Sequence, residues 1–169
     1  MYSLAVSGFP AWSRWFAWAV GRLCRPGQIR PIFMAGEIDV RVHLVEHAQD
    51  GLGFVPTYVA KCRELTGLLR AEQFVLALPP PPCDMTGFRA WYPVVGSLEE
   101  RLTAWRMLRT AVVDAAESQG ARVLDFSPDV AGPDGSLRPD LSDDGAHTNQ
   151  AAIPLIRAAV SRLGFQPSR

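Results

Sequence analysis

The sequence predicts an α/β domain whose sheet is mainly parallel. Two observations predict this class. Short apolar runs alternate along the chain with longer segments of helical periodicity, and polar clusters follow three of those runs, as expected where sites form at the carboxyl ends of parallel strands. The 169 residues fall within the usual size of one domain. We therefore expect residues 1–169 to form a single domain.

Each element is predicted from its own local pattern. The strand candidates are the apolar runs Tyr2–Val6, Ile29–Ala35, Gln73–Leu78 and Ala121–Phe126. Apolar residues at helical spacing predict four helices. These are Ala11–Cys24, a helix with Pro56 in its first turn, a helix that begins at the S-x-x-E capping box of Ser97 and Glu100 and stops at Gly120, and a last helix that ends at Gly164.

Charge and cysteine content exclude several classes of function. The chain has 17 basic and 17 acidic residues and no formal net charge, which removes the usual electrostatic basis for binding nucleic acid or an anionic membrane. The three cysteines, Cys24, Cys62 and Cys83, are odd in number and lack C-x-x-C spacing, so we expect thiols in a reducing cytoplasm. The apolar run from Phe9 to Val20 is too short to span a bilayer.

The D-x-x-H sequence at positions 144–147 is a candidate catalytic pair. A spacing of three residues lets the carboxylate of Asp144 fold back onto one imidazole nitrogen of His147, so that the other nitrogen can act as a general base. Such a pair needs a nucleophile, usually serine, and donors for an oxyanion. The alternative interpretation is a solvated Asp turn that carries a surface histidine.

A second cluster begins at Gly36, at the end of a strand candidate. The amide of a glycine at such a place can approach a ligand closely. Glu37, Asp39, Arg41 and His43 then fall at every second position, which also fits one hydrated face at a strand end. We expect this cluster to converge with the loop after Pro79 and with residues 140–150, and to line a pocket with the loop after Pro82.

From the strand before Gly36 to the last helix, the sequence resembles the SGNH (GDSL-type) hydrolase superfamily. Gly36–Asp39 stands in the place of the G-x-N-D block, a strand ends in Leu78–Pro80, and Asp144–His147 stands in the place of the D-x-x-H block. The sequence looks most like a bacterial subgroup that has a G-E-I-D-x-R strand end and a later aromatic-Pro-x-V-G-S-x-x-E-R stretch, here Trp91–Arg101.

The resemblance implies a flavodoxin-like three-layer α/β/α sandwich that hydrolyses or transfers an acyl group. It implies a small-molecule or glycan-linked ester as the substrate, and no cofactor. His147 would be the base, Asp144 would orient it, and the amide of Gly36 would help to hold the oxyanion. Ile38 stands where the family has its oxyanion Asn, and loss of such a donor costs about 2.7–4 kcal/mol of transition-state stabilisation.

The nucleophile is the second departure from the family's pattern. The resemblance implies a G-D-S block after the first, central strand, farther upstream than the 35 residues that precede Gly36, and no such block occurs in the sequence. We therefore expect the chain as given to lack that strand and its serine. Ser7, which follows Tyr2–Val6 and precedes a helix, is the alternative nucleophile, although no Gly-Asp precedes it.

Two other classes of function compete with the hydrolase. His43–His47 matches H-x-x-E-H, a zinc peptidase motif when it lies on a helix, but its position after a strand end favours loop histidines. A non-catalytic binding or partner module of the same fold is the other alternative. The aromatic stripe of Trp12, Trp15, Phe16 and Trp18 would then mark an interface, whereas ordinary packing in the core is the interpretation that we favour.

Overall fold

The computed structural model describes residues 11–26, 28–34, 36, 39–47, 52–85 and 94–164. The helices are α1 (Ala11–Leu23), α2 (Leu44–His47), α3 (Phe54–Leu68), α4 (Leu98–Ser118), α5 (Ser127–Val130) and α6 (Ile153–Arg162), and the strands are β1 (Ile32–Met34), β2 (Val75–Ala77) and β3 (Arg122–Leu124). A π-helical turn spans Asp39–His43, and 3₁₀ turns span Pro139–Leu141 and Gln150–Ala152.

The strands form a parallel sheet in the order β1-β2-β3, which confirms the predicted class. Ile32 pairs with Val75, and Val75 pairs with Arg122. Each strand is shorter than the apolar run that predicted it, since only the middle of each run is paired. The candidate strand Tyr2–Val6 lies outside the described residues and stays a prediction.

Helices cover both faces of this sheet, as the three-layer sandwich requires. Leu76 of β2 points into a core that is shared with α3 and α4. Its neighbours Val75 and Ala77 point to the opposite face, into a core shared with α6 and with residues 124–141. At β1 the second face is thinly covered, and Ile32 and Met34 remain exposed on it.

The capping box of α4 forms as predicted. Ser97 Oγ accepts a hydrogen bond from the Glu100 amide at 3.3 Å, and Glu100 Oε2 accepts one from the Ser97 amide at 2.7 Å. The reciprocal pair satisfies two backbone donors that the first helical turn would otherwise leave without partners. These bonds fix where α4 begins, beside the loop that follows β2.

The prediction that the aromatic stripe of α1 packs in the core is wrong. Trp12 is 69% exposed and Trp15 is 68% exposed, and Phe16 and Trp18 are exposed as well. The opposite side of the helix faces inward: Ala17 is buried, and Gly21 lies against the backbone of Leu68 and Leu69 at the end of α3. Small residues allow this close approach of two backbones, and the bulky rings are therefore directed away from α3.

The alternating polar residues after Gly36 do not extend a strand. Asp39–His43 is helical, and the Val40 amide donates to the Gly36 carbonyl at 2.9 Å, which is a bond between residues four apart. Val40 and Leu44 are both buried in the core beneath. Burial of these two apolar residues, four positions apart, favours a helical turn over an extended chain.

The long loop before the D-x-x-H sequence is more ordered than its composition predicts. The expected turn at Pro133–Gly135 is present, since the Gly135 amide donates to the Gly132 carbonyl at 3.0 Å. The same stretch also contains α5 and the 3₁₀ turn at Pro139–Leu141. Val130, Leu137 and Leu141 of this loop are buried and pack in the same core as the β2 residues Val75 and Ala77. In the described part of the chain, no helix is both long and apolar enough to cross a bilayer.

A pair of glycine substitutions tests the close packing of α1 on α3. We expect Gly21→Ala to lower the free energy of unfolding by roughly 1–3 kcal/mol, because the added Cβ would overlap the Leu68 carbonyl oxygen. Gly67→Ala is the control, because its Cβ would enter open space, and a helical alanine should stabilise by about 0.5–1 kcal/mol. Urea denaturation measures both changes, and equal effects would contradict the packing.

Thiol reactivity tests the burial of the cysteines, none of which is in a disulfide. Burial raises the pKa of the Cys62 thiol to about 12, although the hydrogen bond with Tyr58 opposes this shift, and burial also raises the pKa of the Cys83 thiol. Only thiolates react with a disulfide reagent. We expect half-buried Cys24 to react in the native protein, and Cys62 and Cys83 only after unfolding. Reaction of all three thiols per chain with the disulfide reagent before unfolding would contradict this.

Candidate active site

Three loops at the carboxyl edge of the sheet meet around one small pocket. Val40 comes from the turn after Gly36, Pro80–Pro82 come from the loop after β2, and Gly145 and Ala146 come from the D-x-x-H loop. Arg101 of α4 completes the lining. The carboxyl ends of parallel strands lie on one edge, and this is why segments more than 100 residues apart in the sequence meet there.

His147 and Asp144 form the predicted pair. The distance between His147 Nδ1 and Asp144 Oδ2 is 2.7 Å. The side chain of His147 is 59% exposed, whereas that of Asp144 is 28% exposed. A carboxylate on Nδ1 favours the tautomer that carries its proton there, so Nε2 is the ring nitrogen with the lone pair needed for proton abstraction.

The loop that carries this pair is held by its own hydrogen bonds. Asp144 Oδ1 accepts from the amides of Ala146 and His147, both at 2.8 Å. Ser142 Oγ donates to the His147 carbonyl at 2.7 Å and accepts from the Gly145 amide at 2.9 Å. Gly145 has a φ of +76°, a conformation that favours glycine. This conformation lets the chain reverse direction between Asp144 and His147, so that their side chains can meet.

Asn149 closes the loop on its far side. The Asn149 amide donates to the Leu141 carbonyl at 2.8 Å, and its Oδ1 accepts from the Ala151 amide at 2.9 Å. Its side-chain Nδ2 donates to the Asp140 carbonyl at 3.2 Å and to Asp143 Oδ1 at 3.0 Å. These bonds fasten both ends of the loop, so the His147–Asp144 pair stands on a preorganised turn.

Gly36 is buried and lies two residues after the end of β1. Its φ is +103°, and a Cβ at this position would lie 2.5 Å from Leu108 Cδ2 of α4. Both the backbone conformation and the close approach therefore require glycine. The close neighbour is the Leu108 side chain, so the predicted approach of the Gly36 amide to a ligand and its role as an oxyanion donor both stay predictions.

Two side chains of α4 hold the proline-rich loop after β2. Trp105 Nε1 donates to the Pro79 carbonyl at 3.0 Å, and Arg101 Nη1 donates to the Cys83 carbonyl at 3.1 Å. The Pro82 carbonyl accepts from the Leu137 amide at 3.0 Å. Prolines have no N–H of their own, and these three bonds all hold the loop through its carbonyl groups.

The structure leaves several sequence-predicted site residues untested. Ser7, Glu37 and Ile38 lie outside the described residues, and the side chains of Asp39 and Arg41 are not described either. Their predicted roles at the pocket therefore stay predictions. His43 is described: it is half-buried at the end of the π-helical turn.

The H-x-x-E-H sequence lies on a helical segment rather than in a loop, which corrects one expectation. His43 ends the π-helical turn and His47 ends α2, where its Nε2 lies 4.0 Å from Glu46 Oε2. Within the described ranges, no cluster of three or more His, Cys, Asp or Glu side chains could hold a metal ion. The two histidines therefore lie on the helical segment that a zinc peptidase motif requires, but the described residues supply no third ligand.

Sequence reasoning missed Arg101, Ser142 and Asn149. Arg101 precedes Trp105 by four and Leu108 by seven, so it falls on the buried face of α4, and an arginine on an apolar face is a signal that could have found it. Asn149 stands where an N-cap residue would stand before the last helical segment. Ser142 carries no comparable signal, because its bonds depend on the folded loop.

No family model matches the chain, and no curated protein matches it. Solved structures do match it. The chain is similar to a GDSL-like lipase from Bacteroides thetaiotaomicron, with a TM-score of 0.55 and 16% identity over 78% of this chain and 60% of that one. The described part of the chain has the fold of this GDSL-like lipase. This confirms the resemblance that the motifs predicted, at the level of the fold.

A second neighbour agrees with this assignment. An aryl esterase from M. smegmatis, solved in an inhibitor-bound form, matches with a TM-score of 0.54 and 15% identity over 91% of this chain and 68% of that one. The chain spans about 60% of the length of the Bacteroides lipase. At such low identities, the similarity to SGNH-type lipases and esterases establishes the fold alone.

The tautomer of His147 tests the geometry of the pair independently of any activity. We expect a nitrogen NMR spectrum of the native protein to show His147 protonated on Nδ1, because Asp144 accepts from that atom. In Asp144→Ala the imidazole should move toward the Nε2–H tautomer. Asp143→Ala is the matched control, since Asp143 bonds Asn149 instead. The same tautomer in Asp144→Ala and the native protein would contradict the pairing.

Proposed function

We propose that this protein hydrolyses or transfers the acyl group of small-molecule or glycan-linked esters, with His147 as general base and Asp144 as the residue that orients it. The observation that carries the proposal is the 2.7 Å contact between His147 Nδ1 and Asp144 Oδ2, beside a pocket at the carboxyl edge of the sheet. The resemblance in sequence supports it, because Asp144–His147 stands in the place of the D-x-x-H block of the SGNH-type hydrolases.

The proposed reaction uses Nε2 of His147 twice. As a serine oxygen bonds to the acyl carbon, Nε2 takes the hydroxyl proton, and the carbonyl oxygen becomes an oxyanion. When the tetrahedral intermediate collapses, the bond to the alcohol breaks and the alcohol oxygen receives that proton. Nε2 then takes a proton from water or a second alcohol as that oxygen bonds to the acyl carbon. The bond between the acyl group and the serine breaks, and the serine oxygen receives the proton. Asp144 stabilises the imidazolium that forms in each half of the reaction.

The oxyanion would be held by the backbone amide of Gly36. The resemblance supports this assignment, because Gly36 stands at the first position of the G-x-N-D block. Ile38 cannot supply the second donor that the family's Asn provides. We therefore expect slower acyl transfer than in family members with Asn, by about 10²–10³-fold.

The nucleophile is proposed to be a serine at the end of a strand beside β1, on the side away from β2. Ser7 is the candidate within the sequence, and a G-D-S block N-terminal to residue 1 is the other. A strand that precedes α1 would enter the sheet on that side, because crossovers between parallel strands are right-handed and α1 lies on the α3 face. The carboxyl end of such a strand faces the same edge as Gly36.

Labelling with a fluorophosphonate probe tests the proposal, since the probe reacts with activated serines. We expect His147→Ala to abolish labelling and to lower ester hydrolysis by about 10⁴-fold or more, because the base is lost. His47→Ala is the matched control, since His47 is exposed at the end of α2. Equal activity of the two variants would overturn the assignment of His147.

The same probe identifies the serine. Labelling that disappears in Ser7→Ala assigns the nucleophile to Ser7. Labelling only of a chain extended by its upstream codons assigns it to a preceding block. If neither chain is labelled and neither hydrolyses esters, the protein is not a serine hydrolase.

The second candidate function is a non-catalytic binding module of the same fold. The exposed aromatic face of α1 favours it, because large exposed apolar patches mark interaction sites. The substitution of Ile for the oxyanion Asn at position 38 favours it as well. This candidate predicts no labelling under any of the conditions above.

A further inference from the structure

Arg101 is a buried arginine in the wall of the candidate pocket. It is 4% exposed, and it lines the pocket together with Gly145 and Ala146 of the loop that carries His147. Nη1 donates to the Cys83 carbonyl at 3.1 Å. Nε is buried and has no hydrogen-bond acceptor among the described residues. A buried donor without an acceptor is costly, so this site calls for an explanation.

The other arginines of α4 differ from Arg101 both in burial and in the partners of their guanidinium groups. Arg106 and Arg109 are exposed, and each forms an ion pair, with Glu99 at 3.2 Å and with Asp125 at 2.8 Å. Burial lowers the pKa of the Arg101 guanidinium, while Asp84 and Cys83 oppose that shift. The group remains cationic, because an arginine starts from a pKa far above neutrality. Asp84 itself is exposed.

The other described residues that line the pocket have few hydrogen-bond donors that could bind an anion. Val40 and Pro80–Pro82 are apolar, and prolines have no N–H to donate. The amides of Gly145 and Ala146 already donate to Ser142 Oγ and Asp144 Oδ1. Arg101 is thus the one charged side chain among the described residues that line the pocket, and it lies in surroundings that strengthen electrostatic attraction.

We propose that Arg101 binds an oxyanion group of the substrate, a carboxylate, phosphate or sulfate, and so directs the site to esters that carry a negative charge. This inference rests on the proposed function, since the pocket shares its wall with the His147 loop. A guanidinium presents paired donors that match the two oxygens of such a group. The bond to the Cys83 carbonyl holds the guanidinium in place before the ligand arrives.

A pair of esters of equal length tests the inference. Mono-4-nitrophenyl succinate carries a carboxylate where 4-nitrophenyl butyrate carries a methyl group. In the native protein we expect kcat/KM to be roughly 10–100-fold higher for the succinate, the range that a charge-assisted hydrogen bond provides. Arg101→Met should bring this ratio close to one, mainly by raising KM for the succinate.

Two further variants separate binding from structural support. Arg106→Met removes the same charge from an exposed position of α4, so it should leave the ratio unchanged. Arg101→Lys keeps the positive charge and one donor toward the Cys83 carbonyl, and it should retain part of the preference even if Arg101→Met folds poorly. A ratio near one in the native protein, or an equal loss for both esters in Arg101→Met and Arg101→Lys, overturns the inference.

Direct binding distinguishes this inference from the proposed function. Titration calorimetry with succinate, inorganic phosphate and sulfate should show binding to the full chain that Arg101→Met loses and Arg106→Met keeps, and the preferred anion identifies the oxyanion class. Binding without ester hydrolysis would refute the proposed function and leave the anion site standing. Hydrolysis of the butyrate without anion binding or succinate preference would refute the anion site alone.

Discussion

One face of α4 contacts two of the loops that form the candidate site, and the arrangement of those loops depends on this packing. Arg101, Trp105 and Leu108 are four and three residues apart, so they project from the same side of the helix. Arg101 and Trp105 bond the carbonyls at the two ends of the loop after β2, and Leu108 meets Gly36 at the end of β1. A shift of α4 would therefore move the pocket wall and the proposed oxyanion donor together.

The His147–Asp144 pair depends on a different kind of constraint. Its geometry comes from hydrogen bonds within the segment from Leu141 to Ala151, most of which join residues two to eight positions apart. Local bonds of this kind can hold two side chains in a fixed geometry without help from the core. The core decides only where the loop sits, through buried Leu141 and Ala152 on the α6 face of the sheet. The site thus joins a locally built pair to loops that only the packed sheet brings near it.

The errors in the sequence-based predictions have physical causes. A helical wheel shows which residues of α1 share a face, but it does not show which face has a neighbour, and here the small residues Ala17 and Gly21 fit against α3. Alternation after Gly36 predicted an extended chain, but burial of Val40 and Leu44 made that segment helical. In both cases tertiary contacts overrode a pattern that was correctly recognised in the sequence.

The sequence by itself determined the parallel α/β class, the order of the three strands and of α1, α3, α4 and α6, the capping box of α4 and the pairing of Asp144 with His147. All of these depend on periodicity or on groups a few residues apart, which local spacing encodes. Only the tertiary structure decided that the aromatic face of α1 is exposed and that Arg101 is buried in the pocket wall. These features depend on contacts between segments distant in the chain, and local spacing carries no information about which distant surfaces will meet.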